Sequence, residues 1–198
     1  MNISQLNCLI ARVIITVTLF ISPLSSANES FNIDEKLAHA DSIRSSQPKQ
    51  FFVSVNELNQ NTEKLTSKQQ YHLDYLNLYL LMYQGNLEQA VIEANILINS
   101  KANNVLKFRA KLALINTYAV NQSWTEGLAT LSNMLTDLPS ISDDNILRNL
   151  ALTVTSVFYN QMGQFELGFS YAKRVESTST QGREQCIAKG LIIESSFQ

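Results

Sequence analysis

The side chains able to do chemistry are few and scattered in this chain. His39 and His72 stand far apart, with no cysteine or paired carboxylates at ligand spacing beside either. Neither fits a metal motif, and each reads as a partly exposed helix residue. Cys186 has no histidine in a nucleophile motif and reads as a buried or idle thiol. No Gly-rich phosphate loop and no Gly-x-Ser-x-Gly elbow occurs. Asp143-Asp144 reads as a solvated acidic pair at a helix start. Trp124, the only tryptophan, reads as core, as do Tyr118 and Tyr159. No residue is assigned as catalytic, cofactor-binding or metal-ligating, and the expectation is a chain that is not an enzyme.

Composition points to a packed domain. The 198 residues are 45% hydrophobic, with only 3 Pro and 6 Gly to interrupt them. The net charge is -2 and no basic run of five occurs, so neither nucleic acid nor an anionic membrane surface is indicated. After residue 30 the common residues are Leu, Ala, Gln, Asn, Glu and Lys, which favour helix.

Residues 1–27 read as a secretory signal. Arg12 is the only charge, Val13–Ile21 is apolar throughout, Pro23 ends the run, and Ser25-Ser26-Ala27 offers a cleavage site after Ala27. The competing reading is an uncleaved anchor, but nine helical residues cover about 14 Å against roughly 30 Å of hydrocarbon. Cleavage removes Arg12 and Cys8. The exported chain then has a single cysteine, Cys186, and no internal disulfide. A hydrophobic core must hold it together.

The remainder reads as helices joined by tight turns. Asp34–Ser45 places Leu37, Ala40 and Ile43 on one side. Lys49–Gln60 does the same with Phe52, Val55 and Leu58. Residues 28–65 are expected to cap the stack of hairpins beyond them. Thr66 and Gln69 have capping-box spacing ahead of a central helical hairpin. Its turn residue is Gly85, with Leu87, Ala90, Ala94 and Leu97 at offsets 2, 5, 9 and 12. The same offsets from Gln122 give Trp124, Gly127, Leu131 and Met134, and from Gly163 they give Phe165, Gly168, Ala172 and Val175. The turns lie 37 and 41 residues apart. A small residue early in the second helix admits close approach, and the large one after the turn plugs the gap. Hairpins are expected at about 67–98, 104–138 and 145–177, with a further first helix at 183–197. Asp143 or Asp144 is the expected N-cap of the helix near Ile146.

The runs Gly85-Asn86-Leu87-Glu88-Gln89-Ala90, Trp124-Thr125-Glu126-Gly127 with Pro139, and Gly163-Gln164-Phe165-Glu166-Leu167-Gly168 resemble the tetratricopeptide repeat, a helix–turn–helix unit of about 34 residues. The resemblance covers roughly residues 71–178. It implies an all-α fold, an α-solenoid of stacked antiparallel hairpins. The chain departs from the repeat in three ways. Its spacing is longer, Gly replaces Ala at two small positions, and Leu78 and Ile115 stand where the first helix should carry a small residue. In such a stack the working surface is the concave face, lined by first helices. Asn77, Asn116 and Asn160 are the candidate exposed residues there, and no ligand role is assigned to them.

The apolar residues Leu191, Ile192, Ile193 and Phe197 lack a returning helix. Either Arg183–Phe197 is itself the cap, or the chain is the front part of a longer protein. Ala40–Pro48, Leu65–Tyr79, Tyr159-Asn160-Gln161 and Gly182-Arg183 ahead of Cys186-Ile187-Ala188 are similar to the extracytoplasmic region of membrane-bound GGDEF proteins (diguanylate cyclases) of marine gamma-proteobacteria. That resemblance implies a periplasmic sensor of a peptide, protein or small molecule. It also implies inner-membrane attachment through a later segment, a cytoplasmic cyclase making cyclic di-GMP, and a homodimer. No GGDEF motif is in the sequence, so no catalytic residue carries over. The alternative is a freestanding periplasmic scaffold that self-associates through Leu191–Ile193. An input domain for another output, such as a histidine kinase, is a third reading.

Overall fold

The computed structural model describes residues 32–141, 144–180 and 182–196. The signal assigned to residues 1–27 lies outside them, as do Asp143 and Phe197. The described residues form α-helices and two short 3₁₀ turns, with no strand among them. The helices are α1 Ile33–Ile43, α2 Pro48–Asn59, α3 Ser67–Tyr83, α4 Leu87–Asn99, α5 Asn104–Val120, α6 Trp124–Asp137, α7 Asn145–Gln161, α8 Phe165–Thr178 and α9 Gly182–Ser196. None of these is long and apolar enough to cross a membrane.

Local chemistry sets the helix ends. Thr66 accepts from the Gln69 backbone N–H while the Gln69 side chain returns to the Thr66 N–H, a capping box that starts α3. Asn103 caps α5 through the Leu106 N–H, and Asp144, rather than Asp143, caps α7 through the Leu147 N–H. The turns between α3 and α4, α5 and α6, and α7 and α8 share one motif. Asn86, Ser123 and Gln164 donate to the carbonyls of Leu81, Tyr118 and Tyr159, and Gly85, Gln122 and Gly163 donate to those of Met82, Ala119 and Asn160. This is the Schellman pair, which needs a left-handed residue at its corner. Gly85 (φ 75°) and Gly163 (φ 73°) adopt it freely, whereas Gln122 (φ 57°) does so with a Cβ in the way.

Packing then orders the helices. The odd-numbered helices α1, α3, α5, α7 and α9 touch in series. Helix α4 packs against both α3 and α5, and α8 against both α7 and α9. The 3₁₀ turn Leu138–Ile141 packs on both α6 and α7. As a result α5 and α7 each bury nine residues, whereas α4, α6 and α8 bury three each. Helices α5 and α7 are enclosed on most sides, and α4, α6 and α8 keep an outer face in solvent.

The core runs from Leu37, Ala40 and Ile43 through Leu73, Tyr75 and Leu76 to Ala110 and Ala113. A second cluster joins Phe108, Leu112 and Ile115 to Leu131, Met134 and Phe158. In α2 it is Phe51 that is buried, with Val55 and Leu58, and the expected Phe52 is only half-buried. One step along a helix turns a side chain by about 100°. Phe52 is instead packed edge-on to Phe51 and tilted against Tyr83. The two glycines at small positions have a steric cause. A Cβ on Gly127 would stand 2.5 Å from the Phe158 ring, and one on Gly168 would stand 1.8 Å from Asn160 Oδ1. Each glycine makes room for a side chain packed against its helix.

Candidate functional site

The polar centre of the fold is Asp41, near the end of α1. Its Oδ1 accepts from Arg44 Nη1, one turn on, and from Arg109 Nη2 of α5 at 2.6 Å. His72 Nε2 of α3 lies 3.5 Å from Oδ2 and has no nearer partner. The two guanidinium groups are stacked as well as paired. Arg109 lies 4.5 Å from the Tyr75 ring centroid, and Arg44 lies 4.5 Å from that of Tyr79 and 5.5 Å from that of Tyr75. Tyr83 donates to the Arg44 carbonyl at 2.8 Å and anchors the end of α1.

Burial by itself would raise the pKa of Asp41. The nearby His72 ring, the hydrogen bond from Arg109 and the charges of Arg109 and Arg44 outweigh it and hold the carboxyl well below the usual carboxylate range. Desolvation works against Arg109 too, but its hydrogen bond to Asp41 and the nearby charge push it above its ordinary value. Asp41, Arg44 and Arg109 are therefore all ionised near neutral pH, with one positive charge in excess.

That excess faces a cleft of about 330 Å³ between α1, α3 and α5. Asp34, Lys68, Gln69, His72, Asn104 and Arg109 are among its lining residues. Asp34 accepts from Gln69 Nε2 at 3.0 Å. Lys68 is exposed.

The residues singled out from sequence lie elsewhere, except His72. His39 is exposed on α1. Asn77, expected to be open, is half-buried and exchanges hydrogen bonds with Asn59 of α2 at 2.8 and 3.0 Å. Asn116 is half-buried. Asn160, also expected to be exposed, is buried. It accepts from Ser195 Oγ at 2.9 Å and donates to Glu194 at 3.4 Å, because α9 lies across it. Cys186, read as buried or idle, is exposed on α9. Trp124 packs edge-on to Phe158 with centroids 5.8 Å apart, and Tyr159 stacks on Tyr171 at 5.7 Å. Tyr118 is half-buried against the first core cluster.

Sequence reading missed Asp41, Arg44 and Arg109. One signal was available: Arg109 lies 37 residues beyond His72, the spacing between the first two turns, so the two occupy equivalent positions on α3 and α5. Among the described residues no group of three His, Cys, Asp or Glu side chains could hold a metal ion. Comparison with models of known protein families, with curated proteins and with solved structures finds no match.

Proposed function

We propose that this chain is a non-catalytic helical-repeat sensor or protein-interaction domain, built as a tetratricopeptide-like α-solenoid. The observation that carries the reading is the recurrence of one Schellman turn at Gly85, Gln122 and Gly163, each with a plug residue and a small residue at fixed offsets after it. A chain that repeats one hairpin has no single deep cleft to dedicate to a reaction and exposes an extended face instead. The half-buried charge cluster at Asp41 supports recognition on the α1–α3–α5 end of that face.

In this reading the domain works in the periplasm, as the input region of a diguanylate cyclase-type signalling protein whose output domain lies beyond it. Sequencing the reading frame after the codon for Gln198 tests this. The expected result is a continuation encoding about 20 apolar residues and then a GGDEF-type domain. A stop codon there overturns the cyclase assignment. An alkaline phosphatase fusion after Gln198 tests export separately. Phosphatase activity is expected, because the enzyme matures only outside the cytoplasm, and a stable but inactive fusion overturns export.

Of the expected Leu191–Ile193 contact, Leu191 is buried and Ile193 is exposed; Ile193 together with the exposed Ile187 favours the second reading, a freestanding periplasmic scaffold whose copies associate through α9. Both readings allow a dimer, so sedimentation of the exported chain is used to locate the contact. A dimer that Ile193→Lys dissociates supports the scaffold.

A further inference from the structure

The charge cluster and the cleft beside it carry an inference about ligand chemistry. Arg109 gives only Nη2 to Asp41 and makes no second hydrogen bond among the described residues. Its remaining nitrogens are not among the buried polar atoms without partners, in contrast to Arg44 Nε and Arg148 Nε. The guanidinium is thus held by stacking on Tyr75 and pairing with Asp41, with donors left over on a residue that lines the cleft. That is a pre-organised fork, the geometry that suits a two-oxygen anion.

Two more basic side chains share that lining. His72 sits one turn from Lys68 on α3, and both line the same cleft. The one acid in the lining, Asp34, is engaged by Gln69. Asp41 lies behind Arg109, shared between two guanidinium groups. The cleft therefore presents more positive than negative charge, in a space of about 330 Å³ that suits a small group and not a folded surface.

We propose that the α1–α3–α5 cleft binds an oxyanion, a carboxylate or phosphate group, through the free edge of the Arg109 guanidinium, with Lys68 and His72 on its flank. This deepens the sensor reading, on which it rests, by naming the chemical class recognised at one end of the repeat face. Binding there requires no new strain, because Arg109 is already oriented before the ligand arrives.

The test is a titration of the full ¹⁵N-labelled chain, monitored by amide shifts. Sodium phosphate and sodium succinate are the two probes, with sodium chloride at matched ionic strength as control. Saturable shifts at Gln69, His72, Asn104 and Arg109 are expected with at least one probe and not with chloride. Saturation by phosphate alone assigns a phosphate ligand, by succinate alone a carboxylate ligand, and by both the shared chemistry. Lys68→Gln, an exposed change that leaves the fold intact, is expected to weaken binding about fivefold. Arg109→Lys keeps the charge, loses the fork, and is expected to weaken it further. Shifts that fail to saturate, that chloride reproduces, or that Lys68→Gln leaves unchanged overturn the proposal. None of those results bears on the reading frame after Gln198, so failure of the cleft and failure of the cyclase assignment are read separately.

Discussion

Two seams of this molecule bury polar groups between helices, and they do so by different chemistry. At the α1–α3–α5 seam one carboxylate, Asp41, is shared by Arg44 and Arg109, and two tyrosine rings wall it in. At the α7–α8–α9 seam the buried groups are neutral amides. Asn149 accepts from Thr178 at 2.7 Å and donates to Glu184 at 2.9 Å and to Ser179 at 3.4 Å, while Asn160 bonds Ser195 and Glu194. The amide seam engages both ends of each side chain with protein. The charged seam leaves donors facing a cleft. The C-terminal seam is therefore a closed joint, whereas the N-terminal one is a joint with donors to spare. The hydrophobic support differs as well. The first seam rests on the largest core cluster, and the last on Leu152, Val175 and Ala188 with Leu138 and Tyr171 beside them.

Removing the shared carboxylate should do the most damage and separate the seams directly. Asp41→Asn leaves two half-buried guanidinium groups facing each other without a counter-ion. A loss of about 3 kcal/mol is expected, seen as a fall in Tm of about 10 °C by circular dichroism. Asn149→Ala removes neutral hydrogen bonds and should cost less, about 1.5 kcal/mol. Equal losses would erase the distinction between the seams.

Acid sharpens the same contrast. Asp41 is depressed in the folded state, so its contribution is fully present above about pH 4, the unfolded value. It fades as the pH falls below that toward the lowered folded value. The stability gap between the unaltered chain and Asp41→Asn should therefore be constant above about pH 5 and shrink below about pH 4. Urea titrations across that range measure it. A gap that widens in acid would contradict the assignment.

Gly168→Ala comes next. Its Cβ would collide with Asn160 Oδ1 and press on the Ser156 carbonyl at 3.2 Å. Since Ser156 Oγ also donates to the Gly168 carbonyl at 2.8 Å, α8 has little room to retreat. A loss of about 2 kcal/mol is expected, and adding Asn160→Ala should recover part of it. The position equivalent to Asn160 in the preceding hairpin is Ala119. Purely additive losses in the double variant would show that the two residues do not compete for space.

The mildest change has the opposite sign. Gln122→Gly relieves the left-handed corner between α5 and α6, away from both seams, and should stabilise by up to about 1 kcal/mol in the same urea titrations. Higher entropy of glycine in the unfolded chain reduces the gain. Destabilisation would mean that the Gln122 side chain contributes more than its backbone costs.

What depends on neighbours within a turn or two was legible in the residues themselves. The Thr66–Gln69 box, the turn positions Gly85, Gln122 and Gly163 and the buried Leu37, Ala40 and Ile43 follow from spacing along the chain, where geometry is set by the backbone. The all-helical class came from the same local signals. Which polar groups meet was settled by packing alone. Asp41 and Arg109 are 68 residues apart, and their pairing depends on how far α1 is rotated against α5. Asn160 looked like a surface residue until α9 lay across it, and Phe51 displaced Phe52 from the core by a single helical step. Cys186 is exposed because no helix covers that side of α9 among the described residues. Periodicity names a face of a helix, but only the packing angle and distance between helices say what that face touches.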